Sequence, residues 1–296
     1  MTRQLVFVHG RAQQGKNAGL LKQEWIEAWK SGLAKTGLTL PISEDLIRFP
    51  YYGDTLDQLV KGATEDEAPK VILKGAESNS EEQAFVRSIL KEVQEKAHFD
   101  DEIVRRLAKP EMIEKGPLNW GWVQAILSTL DQHVPGASGA SVALFTHDVY
   151  EYLKNQGIRD VIDSGIRKAF SSNVESVVVS HSLGTVVAYN VLRRDGDDAC
   201  WKIPTFITLG SPLAVKVIKQ GLAPIRHPRC AHIWFNAMDE RDVVALYPLD
   251  ADHFDVNPSI ENKTDVDNPT ENRHGISGYL GDPVVAKRIY DALVTP

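Results

Sequence analysis

Val177-Val178-Val179-Ser180-His181-Ser182-Leu183-Gly184-Thr185-Val186-Val187-Ala188 is an apolar run that breaks at a serine and restarts with a different period. Three consecutive valines without polar alternation fit a strand buried on both faces, and residues 185–194 carry apolar side chains at helical spacing. A strand that passes into a helix within two or three residues must turn sharply. Such a turn holds Ser182 at the strand tip with its oxygen exposed and leaves the next backbone N–H free to face a developing negative charge.

Similar runs occur elsewhere. Residues 5–8 precede His9-Gly10, residues 206–209 precede Gly210-Ser211, and residues 233–235 precede Asn236; a weaker run, Leu46-Ile47-Arg48-Phe49, stops at Pro50. With helical patterns between them, including 282–293, these runs predict an α/β fold: a doubly wound, mainly parallel sheet covered by helices on both faces. Reactive groups in such sheets gather at the carboxyl ends of the strands, where His9, Ser182, Ser211 and the 239–242 segment all fall.

Residues 51–144 interrupt this rhythm. They are rich in Glu, Lys and Ala, contain no strand-like run, and predict a helical insertion within one domain spanning residues 1–296. Ser80-Glu81-Glu82-Gln83 has the form of a capping box, followed by an apolar face of Phe85, Val86, Ile89, Leu90 and Val93. A second helix is expected to carry Trp122, Ile126 and Leu130. Placed between the early strands and the serine turn, the insertion is expected to cap the sheet edge, with Trp120 and Trp122 as either pocket walls or core anchors.

The 296 residues hold 33 basic and 40 acidic side chains, a formal charge of -7, so no general attraction to nucleic acid or anionic lipid is expected. No apolar stretch approaches the roughly 18 residues of a membrane span, and the first ten residues predict a strand rather than a targeting segment. Cys200 and Cys230 are too few for a disulfide framework. The expected compartment is therefore the cytoplasm.

A serine hydroxyl is a weak nucleophile until a base takes its proton, and the base needs an acceptor to orient it. Downstream, Asp239-Glu240-Arg241-Asp242-Val243-Val244 places carboxylates just past a strand, and Arg273-His274-Gly275 lies in a polar loop before the last helix. Asp242 is the expected acid and Asp239 its rival. His274 is the expected base, and His253, among Asp250, Asp252 and Asp255, its rival.

The order Ser, Asp, His behind such a turn resembles the α/β-hydrolase fold. Ser180-His181-Ser182-Leu183-Gly184 is similar to the Gly-His-Ser-Leu-Gly of lipases and esterases, with serine for the first glycine; residues 240–244 are similar to the acid segment of lipases, and His9-Gly10 to the family's oxyanion turn. The resemblance implies a serine hydrolase that cleaves a small-molecule carboxylic ester, with Ser182, Asp242 and His274 as its triad. It further implies an oxyanion hole from the backbone N–H groups of Leu183 and Arg11, with no cofactor and no metal.

Two other classes compete. Gly10-Arg11-Ala12-Gln13-Gln14-Gly15-Lys16-Asn17 departs by one residue from a phosphate-binding loop, which would make the chain a nucleotide hydrolase; Asn17 stands where a magnesium-ligating hydroxyl is required. A catalytically inert, hydrolase-like scaffold that binds a partner is the third class. The acidic residues 250–267 lack the glycine and glutamate of a calcium loop, so they read as a solvated acidic segment.

Overall fold

Each of the apolar runs becomes a strand, and the strands lie side by side. The computed structural model describes residues 3–10, 17–53, 80–107, 120–134 and 137–295. Six strands, β1 (Gln4–Val8), β2 (Ile47–Arg48), β3 (Ser176–His181), β4 (Ile203–Leu209), β5 (Ala231–Ala237) and β6 (Glu261–Lys263), form one sheet in the order β2-β1-β3-β4-β5-β6. Every neighbouring pair is parallel. β6 has no counterpart in the sequence reading: Glu-Asn-Lys at a sheet edge carries no apolar run to announce it.

Successive strand residues point to opposite faces, and both faces are buried. Leu5, Phe7, Val177, Val179, Ile207, Leu209 and Ala237 belong to one hydrophobic cluster, Val6, Val8, Val178, Phe206 and Trp234 to another. Helices α1 (Ala18–Ala34), α9 (Ile276–Leu280) and α10 (Pro283–Val294) close the first cluster with Trp25, Trp29, Leu33, Tyr279 and Ile289. The second is closed by α2 (Ser80–Lys96), α3 (Asp101–Leu107), α4 (Trp120–His133), α5 (Gly139–Lys154), α6 (Gln156–Arg167) and α7 (Leu183–Asp195). Double burial is why the strands lack alternation, and the doubly wound parallel sheet is the architecture the sequence predicts. One short helix, α8 (Lys216–Gly221), also lies against this side.

The described part of residues 51–144 is helical and contains no strand. The apolar faces of α2, α4 and α5 join the same cluster as Val6, Val8 and Val178, so these helices are packed into the sheet's own core. Trp122 is 4% exposed inside that cluster, with the Arg105 guanidinium 5.5 Å from its ring centre, and is therefore a core anchor. The side chain of Trp120 lies outside the described residues. No described helix is long and apolar enough to cross a membrane. Cys200 is exposed and Cys230 buried, and neither is in a disulfide.

On the other face, α1 approaches α9 and α10 closely through Gly32. A β-carbon there would lie 2.7 Å from the Ala286 Cβ and collide with the Leu280 carbonyl oxygen. Gly32→Val is expected to lower the unfolding free energy by about 1–3 kcal/mol through overpacking. Gly165, inside α6, faces open space, so Gly165→Ala is expected to raise it by up to about 1 kcal/mol through helix propensity alone. Denaturant unfolding of the two variants measures both changes.

Candidate active site

β3 ends at His181, α7 begins at Leu183, and Ser182 alone makes the turn, with φ 55° and ψ -130°. An L-residue held there costs about 1–3 kcal/mol, so its surroundings must impose it. They do so by removing side chains. A β-carbon at Gly184 would drive into the Val8 and His9 carbonyl oxygens, and one at Gly10 would sit 2.8 Å from the Ser182 Cβ. Ser182 N–H donates to the Leu209 carbonyl (3.1 Å), while the Thr185 hydroxyl donates to the Ser182 carbonyl (2.8 Å). Ser180, which replaces the glycine of the resembled motif, fits because its hydroxyl donates to the Ile207 carbonyl at 3.1 Å.

The position of the turn in the sheet matters as much as its shape. β1 has β2 on one side and β3 on the other, so the chain's winding reverses between β1 and β3. Open parallel sheets bind ligands in the crevice beyond the strand ends at such a reversal. His9-Gly10 and Ser182 stand on its two sides.

Two further segments reach Ser182 there. His274 Nε2 lies 2.8 Å from Ser182 Oγ, and His274 Nδ1 lies 2.7 Å from Asp242 Oδ2. With Nδ1–H donating to the carboxylate, Nε2 is left as the acceptor for the serine proton. Asp242 is fully buried; its Oδ1 accepts from the N–H groups of Val244 (2.8 Å) and Ala245 (3.3 Å), and its Oδ2 also accepts from the Tyr279 hydroxyl (2.6 Å). Burial opposes its charge, yet the adjacent imidazole and these donors hold the carboxyl below its usual range.

Both rivals are engaged elsewhere. Asp239 accepts from Arg241 N–H (2.8 Å) and Asn268 N–H (2.9 Å) and lies 3.5 and 3.9 Å from the Arg241 and Arg273 guanidinium groups, bracing the loop that carries His274. His253 contacts Asp250 Oδ1 at 2.7 Å and stacks on Tyr247. Within the base loop, Arg273 has φ 55°, Asn272 Oδ1 accepts from His274 N–H (3.1 Å), and Asn268 Nδ2 donates to the Gly275 carbonyl (2.9 Å). Gly210, with φ +56°, leaves the room in which the groups meet: a β-carbon there would lie 3.1 Å from His274 Cε1 and 3.2 Å from Asp242 Oδ2.

Two buried histidines frame the site as neutral groups. His181 Nε2–H donates to the His274 carbonyl at 2.7 Å, tying the turn directly to the base loop, and burial followed by the nearby His274 lowers its pKa to about 3. His9 accepts from Tyr52 N–H at Nε2 (3.0 Å), which leaves its Nδ1–H to donate to the Gly10 carbonyl (2.7 Å); burial lowers its pKa to about 4. Leu183 N–H opens α7, where a helix has no internal acceptor for it and carries partial positive charge. Arg11 and the remainder of the phosphate-loop-like stretch, residues 11–16, lie outside the described residues.

Among the described residues no group of His, Cys, Asp or Glu side chains is arranged to hold a metal ion. Tyr279 and the anchoring role of His181 are absent from the sequence reading. Tyr279 lies outside the helix expected over residues 282–293 and carried no signal, and His181 carried only its place beside Ser182. No protein-family model matches the chain, and searches of curated proteins and of solved structures return no match.

The depressed pKa of His181 makes a stability prediction. The unfolded histidine takes up its proton near pH 6.5 and the folded one only near pH 3, so stability is complete above about pH 6.5 and declines as pH falls between those values. His181→Gln should reduce the proton uptake on unfolding at pH 4–5.5 by about one, a slope change of about 1.4 kcal/mol per pH unit. Denaturant unfolding across that interval reads the slope independently of any loss in absolute stability.

Proposed function

We propose that the protein is a serine hydrolase that cleaves a carboxylic ester through an acyl-enzyme on Ser182. The observation that carries this reading is the continuous hydrogen-bonded chain from Ser182 Oγ through His274 to Asp242, set in the crevice where the sheet's winding reverses. An ester follows from the likeness of residues 180–184 to esterases and lipases. On the same reading the sheet is of the α/β-hydrolase type, the helices within residues 51–144 are its cap, and the enzyme works in the cytoplasm on a small acyl ester.

His274 Nε2 takes the Ser182 proton as Oγ attacks the acyl carbonyl carbon. The carbonyl oxygen becomes an oxyanion, held by Leu183 N–H and a second backbone donor assigned to Arg11. Collapse of the tetrahedral intermediate breaks the ester C–O bond while the imidazolium passes its proton to the departing alkoxide. Water then attacks the acyl-enzyme, His274 receives a water proton, and the second collapse returns that proton to Ser182 as the carboxylic acid leaves. Asp242 stays ionised throughout and balances the transient imidazolium. His181 and His9, both neutral at ordinary pH, hold backbone and take no proton.

A fluorophosphonate probe should label the wild type and leave Ser182→Ala unlabelled. In turnover of p-nitrophenyl esters, His274→Ala should lose roughly 10⁶-fold in kcat and Asp242→Asn roughly 10⁴-fold, the scale of other serine–histidine–acid sites. An unlabelled wild type whose nucleoside triphosphate turnover depends on Lys16 would sink the reading. A larger loss in Asp239→Asn than in Asp242→Asn would reverse the choice of acid.

A further inference from the structure

We propose that Tyr279 is a positioning residue of this site, a second donor on the very Asp242 oxygen that holds His274, set there to limit how strongly the carboxylate pulls on the imidazolium. The inference rests on the serine hydrolase reading. Tyr279 Oη lies 3.2 Å from the Asp239 backbone nitrogen, which can only donate, and 2.6 Å from Asp242 Oδ2. The hydroxyl therefore accepts from Asp239 N–H and points its own proton at Asp242.

The placement is constrained on every side. Tyr279 is fully buried in α9, five residues after His274, so one short segment delivers both donors to Oδ2. Its ring lies against Gly210, where a β-carbon would approach Cε2 to 3.0 Å. The other donors to the carboxylate, Val244 and Ala245 N–H, sit on Oδ1 and fix its orientation. Only the phenol competes with the imidazole for the same oxygen among the described residues. A donor to the ionised carboxylate stabilises its charge and so lowers its affinity for a shared proton.

The charged and titratable groups around this contact leave that role to the phenol. His181 faces the Tyr279 ring at 5.9 Å and stays neutral down to about pH 3, and Asp239 is engaged by Arg241, Arg273 and Asn268. Burial, reinforced by the Asp242 carboxylate and opposed by the Asp239 N–H, raises the phenol pKa well above its ordinary value, so the hydroxyl remains a donor across the working range.

Tyr279→Phe keeps the ring and removes the donor. In that variant the acid limb of the kcat/KM profile should move to higher pH by roughly 0.5–1 unit, because the freed carboxylate stabilises the imidazolium more strongly. The low-field proton resonance of His274 Nδ1–H should move further downfield as its bond to Asp242 tightens. A ring-fluorinated tyrosine encoded at position 279, a stronger donor, should move both in the opposite sense. A merely structural tyrosine would lower kcat or stability and leave limb and resonance in place, and that result overturns the proposal. If the wild type turns over no ester, the hydrolase reading fails, while the resonance, read without substrate, still decides for or against Tyr279.

Discussion

Ser182 turns a strand into a helix with no residue to spare, and most of the site's architecture follows from that one backbone conformation. With φ 55° at the turn, α7 must start at once and run back against β1. This is possible only because Gly184 and Gly10 present no side chains at the contact. The local strain, of about 1–3 kcal/mol, is offset by burial of Leu183, Val186, Val187 and Val191 against the sheet, at roughly 1.5–3 kcal/mol for each large side chain. A serine held this way turns its oxygen toward His274 Nε2, 2.8 Å away.

The second constraint is a buried charge. Asp242 is wholly removed from water, and an isolated carboxylate there would be far too costly to remain ionised. It is supplied with two backbone N–H groups, a phenol and an imidazole, and the two side-chain donors have supports of their own. Tyr279 is braced by Asp239 N–H, and the His274 carbonyl is gripped by His181. Through His181 the residue beside Ser182 holds the residue that faces Ser182, so serine and imidazole are located relative to one another by a direct link. Asp239, the rival acid, serves the same assembly from outside by fastening Asn268 and the arginines at 241 and 273.

The described helices within residues 51–144 pack directly against the sheet. The segment reads from sequence as a helical insertion within one domain, and α2, α4 and α5 share one core with Val6, Val8 and Val178. Trp122 is consumed by that packing. Periodicity reveals that a helix has an apolar face, but it carries no information about which surface that face will meet.

The sequence by itself marked the strand runs at 5–8, 177–179, 206–209 and 233–235 and their burial on both faces, and it nominated Ser182, two rival carboxylates and two rival histidines, because apolar runs and turn chemistry are local properties of the chain. β6 escaped because an edge strand of Glu-Asn-Lys needs only a neighbour's backbone, not an apolar pattern. Tertiary structure alone decided which carboxylate meets the imidazole: Asp239 and Asp242 are three residues apart and chemically alike, and only the folded loop turns one to His274 and the other to Asn268. It also decided that Tyr279 and His181 belong to the site. Hydrogen bonds spanning 37 and 93 residues join them to it, and separations of that length leave no trace in local spacing.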